Sequence, residues 1–326
     1  MERVWGPRCP APSGLVMPVP VDLAGSSGPT PGQARGPRWR RSSPGLYVPS
    51  DTGDTIEQHI LEESRRLPEG GAVGGWAALR LQGGGYFDGF AVDGRTPLRV
   101  PLVLPPDRNL RPGDRALLLR RPVDRGTITI RYGIPCLPAP RAAVDEARDA
   151  ADVRAAVVVF DMAMVARLVT RPELDREVCR QAGAPGIRQA RTALRLADGR
   201  SLSPQETFLR LVWVLDARLP RPQCNWHVYT DDRRFVGMPD LLSQECAVVG
   251  EYDGAAHAGA ARRARDARRA EEFRDLGLEH FTVVAGDRDD VHALVRKMHS
   301  AVARAEASAH PRRWLVKTPP SPLRID

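Results

Sequence analysis

Lysine is almost missing from this chain. It occurs only at 297 and 317, so nearly all of the 48 basic residues are arginine. Any chemistry that needs a lysine beside an acidic cluster therefore has two places to draw from, both near one end. Cysteine is sparse too: five residues, at 9, 136, 179, 224 and 246, an odd count with no C-x-x-C pair. That spacing excludes a disulfide scaffold and a zinc knuckle, and fits a reducing cytoplasm. Long apolar runs are lacking. The best candidate, 155–169, is interrupted by Asp161 and Arg167 and is too short and too charged to span a bilayer, so no membrane partner is expected. The N-terminus carries Pro7, Pro10, Pro12 and Pro18 instead of a continuous apolar core, which argues against a signal peptide.

What is present is a 326-residue chain, 42% hydrophobic and 27% charged, long enough for two domains with cores of their own. The formal net charge of +8 is compatible with a polyanion partner such as nucleic acid. The pattern predicts an α/β protein in five stretches. Residues 1–45 form an irregular basic arm, rich in Pro, Gly and Ser. Within it, Arg38, Arg40 and Arg41 flank Trp39; they either grip phosphates or belong to a solvated loop entering a strand. Residues 46–140 read as α+β: a strand at 45–48, helices over 54–67 and 72–81 with Trp76 as a core anchor, then strands at 98–104, 116–119 and 127–131. Residues 141–200 form a helical connector, with a capping box at Thr170–Glu173. Residues 201–305 read α-β-β-β-α-β, and 306–326 as a disordered tail.

The chemistry concentrates in 233–257. Two strand-like runs flank the break Ser243-Gln244-Glu245. A hairpin with a four-residue loop at 244–247 sets Asp240 opposite Glu251, and strand alternation puts Asp253 on the face of Glu251. Like charges facing each other destabilise a sheet, so three retained carboxylates suggest a shared cation, with oxygen-only ligands suiting Mg²⁺ or Mn²⁺. The competing reading is solvated turn residues: Asp253-Gly254 is a turn signal, and Asp240 follows a proline that could begin an edge strand. Glu206 also has two readings. Ser203-Pro-Gln-Glu206 is a complete capping box that accounts for the residue without a metal, while a place in an acidic site is implied only by family resemblance. The helix over 259–276 carries Arg262, Arg265 and Arg269 among other arginines, with acids at three- and four-residue spacing. It is either a self-paired solvated face or a phosphate-contacting one.

Pro239-Asp240, ten residues, then Glu251-Tyr252-Asp253 resembles the PD-(D/E)XK nuclease signature. Its continuation through His257, Arg265-Asp266, Arg269 and Phe273–Gly277 is similar to the Vsr-like (very-short-patch-repair-like) endonuclease domain. The upstream series Gly45-Leu-Tyr-Val, 71–83, Gly133-Ile-Pro, 140–146 and 168–174 resembles the AbiEi-like antitoxins, whose N-terminal winged helix would be truncated here. The resemblance implies a restriction-endonuclease-like αβββαβ core and Mg²⁺-dependent cleavage of DNA. Asp240 and Glu251, with the Tyr252 carbonyl and Glu206, would be the metal ligands; Asp253 or His257 would orient or deprotonate water; Arg269 would hold the phosphate. Arg262, Arg265, Arg38, Arg40 and Arg41 are then the nucleic-acid contacts. The lysine of the signature is Asp253 here. The alternative the resemblance carries is a non-catalytic DNA-binding antitoxin or regulator with a toxin partner.

Overall fold

The computed structural model describes residues 6–91, 93–111, 113–253 and 260–319; within 260–275, side chains are described from Arg268 onward. The protein is mixed α/β. Its contacts divide into an N-terminal unit, 1–195, and a C-terminal unit, 196–326.

The N-terminal unit opens with a small antiparallel sheet of β1 (Val19–Pro20), β2 (Trp39–Ser43) and β3 (Leu46–Pro49), in the order β1-β3-β2. The arm expected to be irregular is thus partly a hairpin: its Gly45, at φ +79°, makes the turn that lets β2 fold back on β3. Among the described residues, the only helical segment before residue 56 is a single turn at Gln33–Arg35. Helix α1 (Ile56–Ser64) starts where the Thr55 hydroxyl caps the Gln58 N–H. Strand β4 (Ala72–Val73) and helix α2 (Gly75–Leu81) divide the stretch expected to be one helix, because Gly74 is extended and Val73 pairs in the sheet. Strands β5 (Val100–Leu104), β6 (Ala116–Arg120), β7 (Thr129–Arg131) and β8 (Ile134–Cys136) complete a five-stranded sheet, β6-β5-β4-β8-β7. Its five β5 residues are buried, as a central strand requires. Helices α3 (Ala139–Asp149), α4 (Val153–Val165), α5 (Arg171–Arg180) and α6 (Ile187–Leu196) follow. Asp152 caps α4, and the reciprocal Thr170–Glu173 box caps α5. Trp76 is buried, its indole N–H donating to the Arg99 carbonyl.

In the C-terminal unit, α7 (Pro204–Leu211) runs into a π-helical turn, Val212–Asp216. Strands β9 (His227–Thr230), β10 (Phe235–Gly237), β11 (Leu241–Ser243) and β12 (Val248–Asp253) precede α8 (Ala260–Asp275), β13 (Glu279–Val284), α9 (Val291–Ala307) and β14 (Trp314–Lys317). The strand expected at 234–242 is two strands in two sheets. Met238-Pro239-Asp240 separates them; proline has no N–H to continue a ladder. Sheet β11-β12-β13 joins an antiparallel hairpin to a parallel crossover through α8, and sheet β10-β9-β14 lies beside it in sequence. The expected tail is a correction: Trp314–Lys317 pairs antiparallel with β9, alternating half-buried and exposed side chains. Helix α8 stops at Gly277, whose φ of +80° allows Leu278 N–H to reach back to the Phe273 carbonyl.

Two apolar clusters fix this unit. Leu209, Trp213, Leu241, Val248, Phe281, Leu294 and Met298 form one, between α7, the sheet and α9. Leu242, Val249, Phe273 and Leu278 form the other, with Val228 and Val236 of β9 and β10.

Candidate functional site

The β11–β12 register is Leu241↔Gly250, Leu242↔Val249 and Ser243↔Val248, leaving 244–247 as the loop. This is the register read from the sequence, and it brings Asp240 to the level of Glu251. Asp240 sits at the bend just before β11, and its Oδ2 accepts the Tyr252 N–H at 2.7 Å. Burial and the charges of Glu206 and Glu251 push the Asp240 carboxyl up to about 8, against the lowering effect of the Tyr252 N–H and Arg269.

Glu251 moves the other way. Burial by itself would raise it, but a hydrogen bond with His280 and the charge of Arg269 outweigh burial and lower it. Arg269 Nη2 lies 3.1 and 3.2 Å from its two carboxylate oxygens, and His280 Nε2 is 3.1 Å from Oε2. Three elements therefore meet at Glu251: β12 carries it, α8 supplies Arg269 and β13 supplies His280. The parallel pairing Glu251↔Thr282 fixes the alignment. His280 is itself buried and stacked on Phe273, ring centroids 6.1 Å apart and planes within 11°. Sequence reasoning did not single it out. Its one local signal was an imidazole inside a strand-like run.

Glu206 behaves as its cap predicts. Its carboxylate accepts the Leu202 N–H at 2.6 Å and the Ser203 hydroxyl at 3.0 Å, and Ser203 Oγ accepts the Glu206 N–H at 3.2 Å. The buried Asn225 also donates to it at 2.7 Å. Glu206 is thus committed to cap donors while its charge still acts on Asp240. Asp253 ends β12, half-buried, on the strand face of Glu251 by alternation. His257 lies outside the described residues, as do the side chains of Arg262 and Arg265, whose backbone belongs to α8.

Arg38, Arg40 and Arg41 are in the N-terminal unit. Arg38 and Arg41 are exposed. Arg40 is half-buried and joined to Glu62 in a two-point ion pair at 2.6 and 2.9 Å, which engages two of its N–H donors. Neither lysine adjoins the carboxylates. Lys297 bonds Asp287 at 2.7 Å, and Lys317 lies over the Tyr229 ring.

Among the described residues, no three His, Cys, Asp or Glu side chains converge closely enough to enclose a metal ion. Nor is any helix there long and apolar enough to cross a membrane.

Comparison with known proteins adds two relatives. Uncharacterized proteins of Mycobacterium tuberculosis, from strains CDC 1551 and H37Rv, are each 31% identical over 163 residues, covering 50% of this chain. The chain spans 58% of the length of these relatives. No family model matches the sequence. No solved structure is a significant match.

Proposed function

We propose that the protein is a Mg²⁺- or Mn²⁺-dependent endonuclease that hydrolyses DNA phosphodiester bonds at Asp240 and Glu251. This reading takes the C-terminal unit as a Vsr-like domain with a restriction-endonuclease-like core. The observation that carries it is the β11–β12 register that brings the buried Asp240 to the level of Glu251, where burial and the charges of Glu206 and Glu251 raise its carboxyl. Burying a carboxyl beside two others shifts it this way, and groups perturbed so are commonly functional. The donor set fits a hard cation. Mg²⁺ is usually held by one or two carboxylates plus substrate phosphate and water, so two ligands suffice without an all-protein cage.

Asp240 and Glu251 would hold the ion, with the Tyr252 carbonyl beside them. Bound there, it would offset phosphate charge and make a coordinated water more acidic. Glu206 stays in its cap and acts through its field. Arg269, already on Glu251, binds the non-bridging phosphate oxygens. Asp253 or His257 orients the attacking water and takes its proton. His280 fixes the Glu251 carboxylate and keeps it ionised. Arg262, Arg265, Arg38 and Arg41 contribute phosphate contacts. The free cysteines support a reducing, cytoplasmic setting.

One observation favours a second reading. Glu251 is already neutralised by Arg269 and hydrogen-bonded by His280, and both lysines are engaged elsewhere. A non-catalytic DNA-binding antitoxin or regulator, paired with a toxin, would keep such a site as a platform. Plasmid nicking with Mg²⁺ or EDTA, run beside a gel shift, separates the two. Mg²⁺-dependent nicking that disappears in Asp240→Ala is the expected result. DNA retention without nicking by the wild-type chain would favour the regulator instead.

A further inference from the structure

The two protein partners of Glu251 differ in kind. His280 Nε2 lies 3.1 Å from Oε2, and Arg269 Nη2 lies 3.1 and 3.2 Å from the two oxygens. The His280 side chain is 8% exposed and stacks flat on Phe273. The Arg269 side chain is 39% exposed. His280 is therefore the fixed partner, and Arg269 is the one that solvent and ligands reach. An ion pair with one member in water is weakly held. The guanidinium can leave the carboxylate at little cost while the imidazole keeps that carboxylate in place.

The stem of Arg269 is set by β10. Gly237 has no side chain where the stem passes: a Cβ there would stand 3.3 Å from Arg269 Cδ and 3.1 Å from Phe273 Cζ. Packed along its methylenes and exposed at its end, the side chain turns about a fixed stem. Its charge also acts on Asp240. One positive group thus stands over both carboxylates that the hydrolytic reading gives to a divalent cation. A guanidinium and a divalent cation at one half-buried carboxylate repel each other with little screening. A phosphodiester between them removes the conflict, because its non-bridging oxygens pair with the guanidinium and its charge offsets the cation.

We infer that Arg269 exchanges between Glu251 and the substrate phosphodiester, so that cation and phosphodiester each bind well only in the presence of the other. The exchange rests on the hydrolytic reading of the site. While Arg269 lies on Glu251, it opposes cation binding there. When a phosphodiester arrives, Arg269 swings to it, and Glu251 stays oriented on His280 with its oxygens released. No bond is made or broken; only ion pairs are traded. Coupling between two ligands is reciprocal, so each must strengthen the other by the same factor.

The test is calorimetric titration of Mg²⁺ into the full chain, alone and with a mixed-sequence DNA duplex carrying hydrolysis-resistant phosphorothioate linkages. The heat of Mg²⁺ entering duplex alone is subtracted. The duplex is expected to tighten Mg²⁺ binding by about tenfold, and Mg²⁺ at matched ionic strength to tighten duplex binding by the same factor in fluorescence anisotropy. Arg269→Gln should bind Mg²⁺ alone about tenfold more tightly than wild type and lose the dependence on duplex. Arg269→Lys keeps the charge and should keep the dependence. The wild-type comparison stands whether or not the variants fold. Equal Mg²⁺ affinity with and without duplex, or a folded Arg269→Gln that binds Mg²⁺ alone no better than wild type, would overturn the exchange. Mg²⁺-dependent nicking of unmodified plasmid with uncoupled binding would sink the exchange alone. Absence of both nicking and Mg²⁺ binding would sink the hydrolytic reading, and the exchange with it.

Discussion

In the N-terminal unit, several buried acids are paired with arginines. Glu57 faces Arg80, Glu62 faces Arg40, and Glu63 faces Arg66, each at 2.6 Å. Asp145 is held by both Arg141 and Arg148 at 2.9 Å. In the C-terminal unit, Asp240 receives a backbone N–H and is pressed by two further carboxylates. Glu146 is the instructive intermediate. Burial pushes it up to about 7, yet the acids near it, Asp149 and Asp145, are countered by Arg121. Pairing in the first unit serves the fold. In the second, Arg269 pairs with Glu251 while burial and the charges of Glu206 and Glu251 favour the protonated Asp240 carboxyl, and that contrast is what the functional reading stands on.

The hardest break of the comparison is Asp240→Asn. Nicking should fall by more than about 10²-fold. Without metal, the same variant should melt higher than wild type above pH 8. The sign follows from linkage: a carboxyl raised in the folded state binds its proton more tightly there. Its contribution is therefore full below the unfolded value of about 3.9 and is lost as pH climbs through about 8. At pH 5 the two proteins should melt closer together. A melting curve unaffected by pH in this comparison would remove the argument for a raised Asp240 carboxyl. Binding a cation needs the ionised form, so Mg²⁺ affinity should rise across the same interval when titrated calorimetrically.

His280→Ala tests the partnership at Glu251. It empties a buried ring position and strips a hydrogen bond from a buried carboxylate, which should cost about 2–4 kcal/mol in urea titration. Glu62→Ala does the equivalent in the N-terminal unit. Losing the acid that clamps Arg40 should cost about 1–3 kcal/mol and leave Mg²⁺ affinity untouched. The smallest change is Glu146→Gln. A slight gain in melting temperature above pH 7, with no change in Mg²⁺ response, would separate ordinary burial from the crowding at Asp240.

The hairpin at the site was legible because its determinants are local. A four-residue break between two apolar runs sets the register, and register sets which residues face each other. The capping boxes at Thr170 and Ser203 were legible for the same reason. His280 was not, since its meeting with Glu251 depends on a parallel crossover, and period-two pattern says nothing about which distant strand lies alongside. Trp314–Lys317 was hidden by its flanks of Pro, Arg and Thr, although Trp-Leu-Val-Lys is itself a strand-like run. Pro239 was visible, but its effect of passing the chain from one sheet to another was not.

Gly250 precedes Glu251 and carries no side chain where the Phe281 ring crosses β12: a Cβ there would stand 2.6 Å from that ring. Phe281 follows His280, so any larger residue at 250 would pry the two strands apart and draw the imidazole away from its carboxylate. Selection on the charge state of Glu251 would thus be felt one residue earlier, as intolerance of even a single methyl group.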